Sequence, residues 1–221
     1  MSKNFVSGNI LGGLGNQLFP LFTTISFALD NDLEYKIILT EGRRKSYFDT
    51  PLYKGILKSK CDPINSREYH EPFHHYLQIP KNLKDIKLCG YFQSWKYFHH
   101  NREKILEILD FKNLRSNTYE KYKDYLDNDI VLHFRLGDYK HLQKFHYVCK
   151  DDYYLKALSH FDKKSKVLYF FEEEDREIVT KRIKIYQEKF PEMSFQPIDT
   201  NIVDWEQMII MTGIKNNIIA N

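Results

Sequence analysis

The stretch His133-Phe134-Arg135-Leu136-Gly137-Asp138-Tyr139-Lys140-His141 sets an imidazole, a guanidinium, a glycine and a carboxylate directly after a short apolar run, Ile130 to Leu132. A strand that ends in a loop presents backbone N–H groups and its next side chains at one rim, which is where open α/β sheets bind ligands. Arg135 stays charged at any working pH and forks onto two oxygens, so it can offset the charge of a diphosphate, as on a sugar nucleotide, without a metal. Asp138 can orient Arg135 or accept a proton. His133 is either an acid–base group or a buried strand residue. A surface Arg–Asp pair beside a turn at Gly137 is the plain alternative.

A second chemical feature lies near the N-terminus. The apolar run Phe5 to Leu11 leads into Gly12-Gly13-Leu14-Gly15-Asn16-Gln17-Leu18-Phe19 and then an amphipathic segment to about Asp30, which reads as strand, glycine loop and helix. Such glycines permit positive φ and close approach of the backbone to a ligand, and the helix start offers unpaired N–H donors. Asn16 and Gln17 add side-chain donors and acceptors. A dinucleotide site of the NAD(P) type is the rival, because Gly13-x-Gly15 resembles the first two glycines of that fingerprint and Glu41 follows Ile37 to Leu39. Leu18 stands where a small residue is needed, and Glu41 is farther along than the usual spacing.

Other candidates weigh less. His74-His75 and His99-His100 are adjacent pairs, which point to different faces of either element and make poor chelating pairs by themselves. The acidic run Glu172-Glu173-Glu174-Asp175 follows Val167 to Phe171 and precedes a helix; acids in a first helical turn are ordinary dipole partners, and a ribose or guanine contact stays open. There is no DxD motif. Cys61, Cys89 and Cys149 are an odd count at wide spacing with no CxxC, indicating neither a disulfide framework nor a zinc site and fitting a reducing compartment.

The elements that must position these residues alternate between apolar runs and amphipathic segments, as in a parallel α/β fold. Strands are expected around Phe5–Leu11, Tyr35–Leu39, Ile86–Gly90, Ile130–Phe134, Val167–Phe171 and Asn217–Ala220. Helical spacing of apolar positions covers Asn16–Asp30, Asn101–Leu109, Thr118–Leu126, Asp152–Phe161, Asp175–Lys189 and Val203–Met211. The region from Arg43 to Lys84, broken by Pro51, Pro63, Pro72 and Pro80 and rich in aromatics, reads as an irregular insertion over a cleft. A hinge near Leu126–Asn128 would divide the chain into domains 1–127 and 128–221.

With 221 residues, 42% hydrophobic and 29% charged, the chain can bury one large core or two small ones. The net charge of +3, from 33 basic and 30 acidic residues spread along the chain, is too balanced to argue for nucleic acid as the main partner. No apolar run is long enough to span a bilayer and no signal-peptide core follows Met1, so a cytoplasmic protein is expected.

The glycine loop and the Arg135 segment together resemble the α-1,2-fucosyltransferases, glycosyltransferase family 11, with their GGLGNQ(L/M)FQ start and HxRxGDY motif. Gly90-Tyr91-Phe92-Gln93-Ser94-Trp95-Lys96-Tyr97-Phe98 is similar to the family's GYFQS-x-KYF segment. His146 with Asp152-Tyr153-Tyr154-Leu155-Lys156-Ala157 is similar to its H…(D/E)YY..A(I/L) stretch. The resemblance implies a GT-B fold: two Rossmann-like α/β domains across a cleft, an acceptor-side domain first and a GDP-fucose-binding domain second. It implies an inverting, metal-independent transfer of L-fucose from GDP-fucose to a glycan hydroxyl, the 2-OH of a galactoside. Gly12, Gly13, Gly15, Asn16, Gln17, Arg135 and Gly137 would then hold the donor, with Arg135, Asp138 and His133 as catalytic candidates. His146, Tyr91, Phe92, Gln93 and Trp95 would line the acceptor side.

Two positions depart from the family. Pro20 stands where Gln is usual, and the sequence stops at Ile218-Ile219-Ala220-Asn221, the opening of a serine-rich, aromatic family motif that helps hold the nucleotide, so the second domain is expected to be incomplete. Three readings follow: a fucosyltransferase, a remnant that binds a GDP-sugar without transferring it, and an NAD(P)-dependent oxidoreductase.

Overall fold

The structure, a computed structural model, describes residues 4–39, 47–62 and 65–220; Glu41 and part of the Arg43 to Lys84 region lie outside them. The chain divides into two compact units, Met1–Leu114 and Arg115–Asn221.

In the first unit, β1 (Phe5–Ile10) runs into α1 (Leu14–Asn31) and returns as β2 (Glu34–Leu39). β3 (Lys60–Cys61), β4 (Arg67–His70) and β5 (Ile86–Cys89) follow, then α2 (Arg102–Ile108) and the start of α3 (Phe111–Lys121). The five strands form one parallel sheet in the order β3-β2-β1-β5-β4. Val6, Ile86 and Leu88 pack one sheet face against Phe27 and Ala28 of α1. Gly8 makes that contact possible, since a Cβ there would lie 2.1 Å from the Thr24 hydroxyl oxygen.

In the second unit, β6 (Ile130–His133), α4 (Asp151–Leu158), β7 (Lys166–Phe170), α5 (Arg176–Lys189), β8 (Ser194–Pro197), α6 (Asp204–Gly213) and β9 (Asn216–Ile219) build a parallel sheet in the order β8-β7-β6-β9. It has three layers. Ile130, Leu132, Val167 and Ile218 meet Tyr154 and Leu158 of α4 and Val179, Ile183 and Tyr186 of α5. Val131, Leu168 and Phe170 meet Ile210 and Ile214 at α6 on the other side. Burial on both faces explains why β6 and β7 read as continuous apolar runs instead of alternating.

The expected strands appear within a residue or two of their places, and three were not foreseen. β3 and β4 lie in the stretch read as irregular, which also carries a 3₁₀ segment, Pro51–Ser59, that buries Leu52, Tyr53 and Ile56. This segment is part of the first unit's core, a correction to its reading as an irregular insertion. The helix expected at Thr118–Leu126 starts earlier, at Phe111, and ends at Lys121. The unit boundary correspondingly precedes the expected hinge: Lys121 Nζ and the Tyr122 hydroxyl donate to Glu206 at 2.8 and 2.9 Å, and the Tyr119 and Thr212 hydroxyls are 3.0 Å apart. These bonds tie the residues before Leu126 to α6, inside the second unit. Among the described residues, no helix is long and apolar enough to cross a membrane.

Candidate functional site

Both motif loops leave the strand at which their sheet's order reverses. β1 is followed in sequence by its neighbour β2 and flanked on its other side by β5; β6 is followed by its neighbour β7 and flanked by β9. In open parallel sheets that reversal opens a crevice beyond the carboxyl ends of the strands, where ligands bind.

At the first of these rims Gly12 has φ +84°, and Gly13 is the N-cap of α1 with no side-chain cap. Gly15 sits in the first helical turn with open space where a Cβ would be. Gln17 is buried and folds back, its Nε2 donating to the Gly12 carbonyl at 2.8 Å, so it shapes the loop instead of reaching outward. Asn16 Oδ1 accepts from Gln93 Nε2 at 2.7 Å, which joins the glycine loop to the segment after β5. That segment is held from below: Glu71 Oε2 accepts the N–H groups of Tyr91 and Phe92 at 2.9 and 2.8 Å. Tyr91 and Trp95 are exposed. Phe92 is wholly buried, its ring edge-on to Tyr97 at 5.3 Å; it belongs to the core, a correction to its reading as a cleft residue. Pro20 lies beyond the first turn of α1, which continues through it, and its carbonyl accepts from the Thr24 hydroxyl at 2.8 Å.

At the second rim Arg135 is held on two sides, its Nη1 donating to Glu172 Oε1 at 2.6 Å and its Nη2 to Asp138 Oδ1 at 2.7 Å. Its guanidinium lies over the Tyr139 ring, 4.4 Å from the centroid. Tyr139 in turn stacks on His146, with centroids 4.2 Å apart and planes 10° apart. The structure therefore brings His146 to Arg135 through an aromatic layer. Gly137 has φ +35°, and a Cβ there would fall 2.8 Å from both Arg135 Nη1 and Glu172 Oε2; its N–H donates to the buried Asp175 at 2.8 Å. The other oxygen of Asp175 accepts from Lys140, whose ammonium that bond holds above its usual pKa. His133 is pushed down to about 4, by burial first and by the Arg135 charge second. It is a neutral imidazole at the strand end, and its carbonyl accepts from the Tyr154 hydroxyl at 3.3 Å.

The acidic run therefore divides by role. Glu172 touches Arg135, and Asp175 fastens the loop. Glu173 turns away onto Arg176 at 2.7 and 2.6 Å and the Thr200 hydroxyl, which hold its carboxyl down to about 2. Glu172, Glu174 and Asp175 place carboxylate oxygens within 4.8 Å of one another, and Arg135 and Lys140 already stand among them as cations. Sequence reading missed Lys140, Tyr139 and the positioning part of Asp175. The available signal was position: the run follows β7, the neighbour of β6, so both loops emerge at one edge. The pocket of about 320 Å³ lined by Thr23, Asp30, Tyr76, Lys96 and His100 lies along the later turns of α1 instead of at either rim.

No protein-family model matches the chain. The chain is similar to an alpha-1,2-colitosyltransferase from Escherichia coli, 28% identical over a 253-residue alignment that covers 99% of this chain and 84% of the relative. That similarity extends over almost the whole of this parallel α/β chain, the two motif loops included.

Proposed function

We propose that this protein is a glycosyltransferase that moves a deoxyhexose from its GDP-activated form to a glycan hydroxyl, with inversion and without a metal at the reacting centre. The observation that carries the reading is Arg135, a guanidinium fixed at the switch-point end of β6 and bonded to two carboxylates, Asp138 and Glu172.

Breaking the bond between sugar and GDP builds negative charge on the departing diphosphate, and stabilising that charge more than the ground state lowers the barrier. A diphosphate would take the place of Glu172 on the fork of Arg135, while Asp138 and the Tyr139 face keep the guanidinium in plane. Lys140 adds a second positive charge nearby. His133 is a poor general base despite its place in the motif, since its ring is buried. Asp138, on the same loop, is the first candidate for the base that takes the acceptor proton. The glycine loop offers uncapped N–H groups at the start of α1, suited to an anion or to sugar hydroxyls.

The motif resemblance favours GDP-fucose as donor and the 2-OH of a galactoside as acceptor. The similarity to a colitosyltransferase favours a second reading in which colitose is transferred; it lacks one hydroxyl that fucose has. Incubating the chain with each GDP-sugar and a set of galactosides, with and without Mg²⁺ or Mn²⁺, separates these. Transfer from one donor, indifferent to added metal and lost in Arg135→Ala, is expected. Binding of GDP without any transfer would leave a GDP-sugar-binding protein. Stabilisation by NAD(P) alone would return the chain to the oxidoreductase reading.

A further inference from the structure

The edge of the first sheet gathers three kinds of metal-binding donor. β4 and β5 run parallel with Glu68 opposite Lys87 and His70 opposite Cys89. Since side chains alternate along a strand, all four fall on one face, the reverse of the face where Ile86 and Leu88 enter the core. Ligand atoms of Glu68, His70 and Cys89 lie within 4.8 Å of one another. His70 Nε2 is 2.9 Å from Glu68 Oε2, and the other carboxylate oxygen, Oε1, accepts from Lys87 Nζ at 2.7 Å. Cys89 is a free, partly buried thiol.

We propose that Glu68 Oε2, His70 Nε2 and Cys89 Sγ form a three-ligand Zn²⁺ site whose fourth position is open to water. One sulfur, one imidazole nitrogen and one carboxylate oxygen suit zinc, whereas Mg²⁺ and Ca²⁺ want oxygen alone. Zinc bonds of about 2.0–2.2 Å at tetrahedral angles set nitrogen and oxygen about 3.3 Å apart. The imidazole and carboxylate therefore need to part by only a few tenths of an ångström, and both are exposed enough to do so. Lys87 does not compete for the ligating oxygen. It holds Oε1 and thereby aims Oε2, the part an outer partner plays at metal sites. Binding exchanges the thiol proton for the metal, and the proton leaves to solvent. The ion would clamp the edge strand β4 to β5 next to Glu71, the residue that holds the Tyr91–Phe92 backbone.

This inference is independent of the reaction proposed above, and its test does not use turnover. The metal-free 221-residue chain is titrated with Co²⁺ under reducing conditions, followed by absorption. A thiolate-to-cobalt charge-transfer band that saturates at one equivalent and is bleached by Zn²⁺ is expected. That band should disappear in Cys89→Ser, persist in Cys61→Ser, and require at least about tenfold more Co²⁺ in His70→Ala or Glu68→Gln. Circular dichroism of each variant separates lost ligation from lost folding, and the exposed His70→Ala and Glu68→Gln decide the matter if Cys89→Ser unfolds. No charge-transfer band in the parent chain, a band that survives Cys89→Ser, or affinity unchanged in both His70→Ala and Glu68→Gln overturns the site and leaves a Glu–His–Lys charge cluster.

Discussion

The two rims are built by different means. The loop after β1 works through backbone: a left-handed glycine at Gly12, an uncapped helix start at Gly13, and Gln17 turned inward onto Gly12. The loop after β6 works through charge, with Arg135 and Lys140 shared among Asp138, Glu172, Glu174 and Asp175. The first is specified almost entirely by residues within a few positions of one another. The second depends on a carboxylate run that arrives only after another strand and helix, so the same length of sequence says much less about it.

That contrast predicts unequal effects of substitution. The largest belongs to Arg135: Arg135→Ala should lower turnover by about 10²–10³-fold, the usual cost of one donor to developing negative charge, with the thermal midpoint nearly unchanged. Arg135→Lys should not restore it, because an ammonium cannot fork onto two oxygens. A midpoint that collapses together with activity would make Arg135 a structural residue and erase the distinction between the rims.

Asp175→Ala comes next. It strips the partner from the Gly137 N–H and from Lys140, at a cost of about 1–3 kcal/mol for a buried donor left unpaired, and it should weaken GDP binding together with stability in a denaturation titration. Gly12→Ala should cost about 1–2 kcal/mol through its positive φ and leave the charge-dependent rim intact, so the salt dependence of GDP binding should match the parent.

His133 supplies a pH signature. Its pKa is about 4 in the fold against about 6.5 unfolded, so the unfolded chain binds the extra proton first as pH falls. Stability is therefore full above about pH 6.5 and declines towards pH 4. His133→Gln should flatten that part of the stability profile, measured by urea unfolding at several pH values. The smallest effect is expected for Gln93→Ala, which removes one exposed 2.7 Å bond to Asn16 and should cost under about 1 kcal/mol, read as a modest rise in KM for one substrate.

Legibility in the sequence follows the same line. β1, β2, β5, β6, β7 and β9 announced themselves because each carries several apolar residues bounded by polar or glycine punctuation. β8 is exposed along most of its length, and β3 and β4 are short and polar, so neither periodicity nor hydrophobicity marks them. The early start of α3 was hidden because few of its residues are apolar, while Tyr119, Tyr122 and Tyr125 suggested a helix displaced towards the C-terminus. At the two rims, the placement of Arg135, Gly12 and Asn16 beside a strand end was legible from type and spacing. Phe92 was grouped with the cleft residues by its place in the segment Gly90 to Phe98, whereas its backbone is left-handed, φ +46°, and its ring is buried in the core. Asp175 was hidden because a carboxylate before a helix normally caps that helix, whereas here it bonds to Gly137 on the neighbouring loop.

The role of Arg135 is tested most plainly by the thermal midpoint of the 221-residue chain and of Arg135→Ala, with GDP, the GDP-sugars, UDP-sugars or NAD and no added metal. A rise is expected with GDP and its sugars alone, absent in Arg135→Ala. No rise with GDP, or an equal rise in the variant, would contradict the claim that the guanidinium at the end of β6 holds the nucleotide diphosphate.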